Sequence, residues 1–128
     1  MKPEIDFDVE EVTLNFATGE MEIRGRLRRI SGPPPEVVWV WSYFLNPDVE
    51  PTGSWSGAPI KLLGPLSQGD EATLSARGHF HWWNNQDVPR NGYYAHVSVS
   101  PDTGLDATVP VPRREYTLEG AVRVRSVP

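Results

Sequence analysis

The chain contains no cysteine. That absence excludes a disulfide framework, a thiol nucleophile and any cysteine-ligated metal. It also lacks a basic segment followed by an apolar run. The opening Met1-Lys2-Pro3-Glu4 turns acidic at once, so the sequence predicts no signal peptide, no transmembrane span and no membrane insertion. Cytoplasm is the default expectation, with an excised extracellular domain as the alternative. Positive charge is in the minority: the net charge is −5. A nucleic-acid partner held by general electrostatics is therefore not expected. No segment has a helical period with caps, and no internal repeat or low-complexity tract is present.

Catalytic signatures are missing as well. Gly53-Ser54-Trp55-Ser56-Gly57 has the glycine spacing of a nucleophile elbow, but Trp55 stands where the serine must be. No glycine-rich phosphate loop opens a helix. Asp102 and Asp106 flank a turn without the ligand count calcium needs. No cofactor is expected.

What the chain does have is alternation broken by turn residues. Its 128 residues suit one domain, 1–128, with a sizeable core and no staples. Thirteen prolines and eleven glycines sit between the alternating runs, as turn punctuation should. Seven β segments follow. Ile5–Phe16 changes phase at Glu10-Glu11, which predicts a bulge or a switch of sheet. Met21–Ile30 places Met21, Ile23, Gly25 and Leu27 inward. Val37–Leu45 is apolar on both phases. Asn46–Pro59 reads as a long loop carrying Trp55. Ile60–Leu63 is short. Ala72–Trp83 and Tyr93–Ser100 alternate strongly, and the last strand runs from about Tyr116 to Arg125 with Gly120 in its inward set. Short antiparallel strands of this kind predict an all-β, two-sheet sandwich.

The pair at 70–100 resembles strands E and F of immunoglobulin-like and fibronectin type III-like modules. Gln68-Gly69-Asp70-Glu71-Ala72-Thr73-Leu74 looks like the turn feeding strand E. Gly92-Tyr93-Tyr94-Ala95-His96-Val97-Ser98-Val99 looks like strand F. The resemblance implies an immunoglobulin-like antiparallel sandwich of about seven strands. It makes Tyr93 the tyrosine-corner residue, buried and bonded through its hydroxyl to the preceding loop. It sets Ala95 where an antibody domain has its second cysteine, and Trp39 or Trp41 as the core tryptophan. Fold alone does not imply function.

Three constellations carry the functional expectations. His79 and His81 share one face of their strand, and His96 faces outward on its own. Were those strands paired, the three imidazoles would form an alternative metal site. In a sandwich they belong to different sheets, and the long Asn84–Gly92 connection suits a crossing rather than a hairpin. The second constellation is aromatic. Val38, Val40 and Phe44 share one phase of their strand, Trp39, Trp41 and Tyr43 the other, and only one phase can face the core. The other must be a lid-covered face, a protein interface or a ring platform for sugars. The candidate ligand-binding residues are Trp39, Trp41, Tyr43, Trp55, Tyr94 and His96. The third is ionic: Asp6, Asp8 and Glu10 alternate opposite Arg24, Arg26 and Arg28, predicting cross-strand ion pairs on a solvated face. Together these predict a non-catalytic binding or protein-interaction module. A protein partner or self-association is the first expectation, and carbohydrate is the alternative.

Overall fold

A computed structural model describes residues 3–46, 53–56, 59–66, 69–80, 92–101 and 120–127. Among them there is no helix. The strands are β1 (Glu4–Asn15), β2 (Glu20–Ser31), β3 (Val37–Asn46), β4 (Gly53–Ser56), β5 (Ile60–Leu63), β6 (Glu71–His79), β7 (Tyr94–Pro101) and β8 (Val122–Val127).

The β1–β2 hairpin follows directly from its turn chemistry. Asn15 Oδ1 accepts from the Ala17 and Thr18 amides at 3.0 and 3.2 Å, and Gly19 takes φ +76°, a conformation glycine adopts without a Cβ penalty. The ladder runs from Asn15↔Glu20 to Glu11↔Arg24, then shifts by one residue before resuming at Val9↔Gly25. The phase change read at Glu10-Glu11 is thus a β-bulge. It lets Phe7 and Val9 pack against the same core as Val12 and Leu14 although their spacing breaks the period of two. On β2, Met21, Ile23, Gly25 and Leu27 are buried, while Arg24, Arg26 and Arg28 face solvent.

Seven strands form one hydrogen-bonded path, β4-β3-β7-β8-β1-β2-β6, with β5 paired to β3. β5, on the far edge of β3, approaches the β6 end of the path where Ile60 packs on Gly78, so the sheet is nearly closed and barrel-like. This continuous path does not by itself show the expected separation into two sheets. β8 bonds parallel to β1 through Val12↔Val124 and antiparallel to β7 through Tyr94↔Arg123. One strand satisfying backbone groups on both edges joins what would otherwise be two layers. β6 and β7 are not neighbours, so they do not form a hairpin; the expected crossing connection itself lies outside the described residues.

The core is built from the inward phases. Val12, Leu14, Ile23, Val40, Phe44, Ala76 and Ala95 are fully buried. An aromatic cluster fills one end, with Phe80 edge-on to Phe16 at 5.5 Å and to Phe44 at 6.3 Å, and Tyr93 tilted on Phe16 at 5.8 Å. Such pairs add about 0.5–1.5 kcal/mol each beyond area burial. Tyr93 is buried as the sequence predicts, but the loop its hydroxyl was expected to meet lies outside the described residues. Ser42 sits inside this core and donates to Met21 Sδ at 3.5 Å, which partners the one buried hydroxyl on β3.

Other boundaries differ from the sequence reading. Gly53–Ser56 is a strand, not loop, in register with Asn46–Tyr43. β6 ends at His79 with Phe80 as a single bridge; Trp82 and Trp83 lie outside the described residues. Gly120 is not an inward strand residue: it is an exposed turn at φ +80°, and β8 begins after it. Tyr116 and Leu118 fall outside the described residues.

Candidate ligand-binding face

Strand β3 decides where a site can lie. Val38, Val40 and Phe44 are fully buried, whereas Trp39, Trp41 and Tyr43 are half-exposed on the opposite phase. The valine phase is therefore the core, and neither Trp39 nor Trp41 is a core tryptophan. The neighbour β7 enforces this choice. Ala95 lies opposite Phe44 and Val99 opposite Val40, while His96, Ser98 and Ser100 lie opposite Tyr43, Trp41 and Trp39. Directly opposed residues share a face, so each half-buried ring on the outer phase of β3 has a hydrogen-bonding residue beside it.

The row continues across the sheet. Lys61 of β5 is opposite Trp39, and its Nζ stands 5.9 Å from the Trp39 ring centroid, at the outer reach of a cation–π contact. Trp39 and Trp41 are 6.4 Å apart with 30° between their planes. Two residues of antiparallel strand rise about 6.8 Å, so the indoles follow the strand's own repeat as a tilted pair. At the other end Tyr94 is opposite both Leu45 and Arg123. Leu63, opposite Val37, is 75% exposed. The indole Nε1 of Trp39 is buried and has no hydrogen-bond partner among the described residues. Such an unmet donor costs about 1–3 kcal/mol.

The charge on this face differs from that elsewhere. On the β1–β2–β6 side the acids and arginines cancel. Arg28 meets Asp6 at 2.8 Å and Asp8 at 3.5 Å, and Arg26 meets Glu71 at 3.0 Å and Glu10 at 3.7 Å. Arg24 meets Glu11 at 2.7 Å, and Arg77 meets Glu22 at 3.4 Å. Arg28 and Arg26 meet Asp6, Asp8 and Glu10 as the alternation predicts, whereas Arg24 meets Glu11 because the bulge passes over Glu10, and the pairs with β6 were not predicted. Hydrogen bonds from Arg24 and Thr13, with the Arg24 charge, hold the Glu11 carboxyl below the usual carboxylate range. Bonding to Asp6 and the nearby Asp8 charge raise Arg28 in turn. Lys61 and Arg123 have no ion pair among the described residues, and both flank the aromatic row. No carboxylate occupies an outward register position on β3, β5 or β7 within the described residues.

The remaining expected site residues stand at other register positions or outside the described residues. Trp55 is in register with Phe44, not with Trp41 or Tyr43. His79 lies on β6, with β2, β1 and β8 between it and the β7 strand of His96; His81 lies outside the described residues. Among the described residues, no three His, Asp or Glu side chains are placed to hold a metal. His79 instead lines an open cavity of about 460 Å³ on the β1–β2–β6 side with Asn15, Glu20, Glu22 and Arg77. Those residues fall in cross-strand rows, Asn15–Glu20–His79 and Thr13–Glu22–Arg77.

Sequence reasoning missed Lys61, Arg123, Ser98 and Ser100. Ser98 and Ser100 were legible, because they alternate with Val97 and Val99. Lys61 and Arg123 had no signal until the pairing of β5 and β8 was known. Comparison with protein-family models, with characterised proteins and with solved structures finds no match for this chain.

Proposed function

We propose that this chain is a non-catalytic binding module that engages its partner through the outer face of β3 and β7. The observation that carries the reading is the half-exposed row Trp39, Trp41 and Tyr43, set on a strand whose other phase supplies the core. Large rings left at a surface are costly to hydrate and productive to bury. They combine contact area with few rotatable bonds, and so dominate binding energy at interfaces and ligand platforms. The polar residues beside each ring supply orientation, which rings alone do not.

The proposed frame is immunoglobulin-like. β6, β2 and β1 make one layer; β8, β7, β3 and β4 make the other; β1 passes alongside β8 to join them. Support comes from the non-adjacency of β6 and β7 and from the buried Tyr93 at the head of β7. In this frame the aromatic row is the outer surface of the second layer.

The test is Trp41→Glu. A charge there should leave the core intact, because the Trp41 side chain lies outside it, and should remove association or ligand binding by stranding a carboxylate in a dry contact. Light scattering, a melting curve and tryptophan quenching on wild type and variant read all three. A folded variant with unchanged mass and unchanged binding overturns the reading.

A further inference from the structure

We infer that the occupant of this face is a linear anionic polysaccharide, whose sugar rings stack along Trp39, Trp41 and Tyr43 and whose acid groups meet Lys61 and Arg123. The inference rests on the binding-module reading and narrows it to one ligand chemistry.

Geometry removes strand addition as a mode of peptide capture. An extended peptide needs a free sheet edge. β3 offers none among the described residues. β7 occupies one of its edges, while β4 and β5 occupy the other. What remains is a ring-bearing surface in mid-sheet. The row from Trp39 to Tyr43 spans about 14 Å of strand, so a chain of rings fits it better than a single small molecule. A pyranose presents an apolar face to a ring and a rim of hydroxyls to its flanks. The flanks here are His96, Ser98 and Ser100 along β7.

Charge selects among sugars. The whole chain carries −5, yet Lys61 and Arg123 lack an ion pair among the described residues, and both stand on this face at opposite ends of the row. The β1–β2–β6 arginines are each compensated by an acid. A neutral glycan would leave Lys61 and Arg123 idle; a uronate or sulfate-bearing chain uses both. Two cations are few for a nucleic acid, whose phosphates demand one cation per contact to compete with salt.

The test is affinity electrophoresis of the intact chain through gels containing polygalacturonate, hyaluronan, xylan or dextran. The variants are Trp41→Ala, Lys61→Glu and, as a control on the compensated face, Arg26→Ala. Polygalacturonate or hyaluronan should retard the wild type, and xylan and dextran much less. Trp41→Ala should weaken that retardation by about tenfold, the cost of losing a central ring. Lys61→Glu, an exposed change that leaves the core alone, should weaken it severalfold and reduce its salt dependence. Arg26→Ala should match the wild type. Equal retardation by xylan and polygalacturonate overturns the anionic inference and leaves the binding module standing. Concentration-dependent dimers abolished by Trp41→Ala, without retardation by any glycan, overturn the glycan but keep the face. So does equivalent binding of oligothymidylate. Retardation indifferent to both Trp41→Ala and Lys61→Glu overturns the inference and the reading beneath it.

Discussion

Gly25→Ala is the sharpest probe of the backbone. Gly25 lies opposite Val9, where the β1 bulge begins. A Cβ added there would press deep inside van der Waals contact with the Asp8 carbonyl oxygen, and would sit 2.9 Å from Phe7 Cζ and 3.1 Å from the Asp8 carbonyl carbon. Two of those three atoms are backbone, and the bulge pins them between ladder bonds, so no side-chain rotation relieves the clash. Overpacking of this kind costs about 1–3 kcal/mol. Alanine returns about 0.4–1 kcal/mol by restricting the unfolded chain. The backbone contact argues for the upper part of the first range, so the net loss is about 2 kcal/mol. At this length that lowers the melting temperature by about 6–10 °C. Gly78→Ala is the comparison, because the atoms nearest its Cβ belong to the Ile60 and Met21 side chains rather than to backbone, and it should cost less. Urea titration followed by far-ultraviolet circular dichroism reads both variants. Gly25→Ala at wild-type stability would refute the close approach of β1 to β2 at the bulge.

Further outcomes follow from the same packing. Val40→Glu should abolish cooperative unfolding while Trp41→Glu retains it, since the two neighbours lie on opposite phases; a melting curve on each checks the assignment. Phe44→Ala should cost about 3–5 kcal/mol, the range for emptying a fully buried aromatic site, measured by urea titration. Arg26→Ala should change stability by no more than about 1 kcal/mol, because exposed pairs contribute little. Glu11 should titrate below the ordinary carboxylate value of 4.5 by carboxyl chemical shift. Its folded value is depressed, so its contribution to stability is present above the unfolded value and is lost as pH falls through the folded one; Arg24→Gln should bring the titration back up.

Much of the frame was legible because β2 and the first part of β6 alternate without interruption, and one register satisfies every inward residue. The bulge was legible too, since Val9 and Val12 cannot share a phase without an extra residue. On β3 both phases are apolar, so alternation could not choose a core face; β7, with valines against serines, makes the choice. Gly53–Ser56 escaped notice because four residues with one apolar side chain give no period, and β3 supplies the ladder that makes them a strand. The Gly120 error has the opposite cause. Apolar spacing ran on through a glycine that here takes a positive φ in a turn. Strand neighbours were the least legible part, because alternation records which face is buried and not which strand lies alongside. For that reason the candidate site was half visible: its rings stood in the sequence, and its cations emerged only once β5 and β8 were placed.

The double pairing of β8 has a kinetic consequence. Val12 and Val124 are direct partners although about 110 residues separate them, and that contact completes the continuous path. Closing so long a loop gains its reward only after its entropy has been lost. The β1–β2 hairpin can form from local contacts, but β7 and β1 remain unbridged until β8 arrives between them. Substitutions at Val124 should therefore act late on the folding route, speeding unfolding more than they slow refolding, whereas substitutions at the Asn15–Gly19 turn should slow the first step.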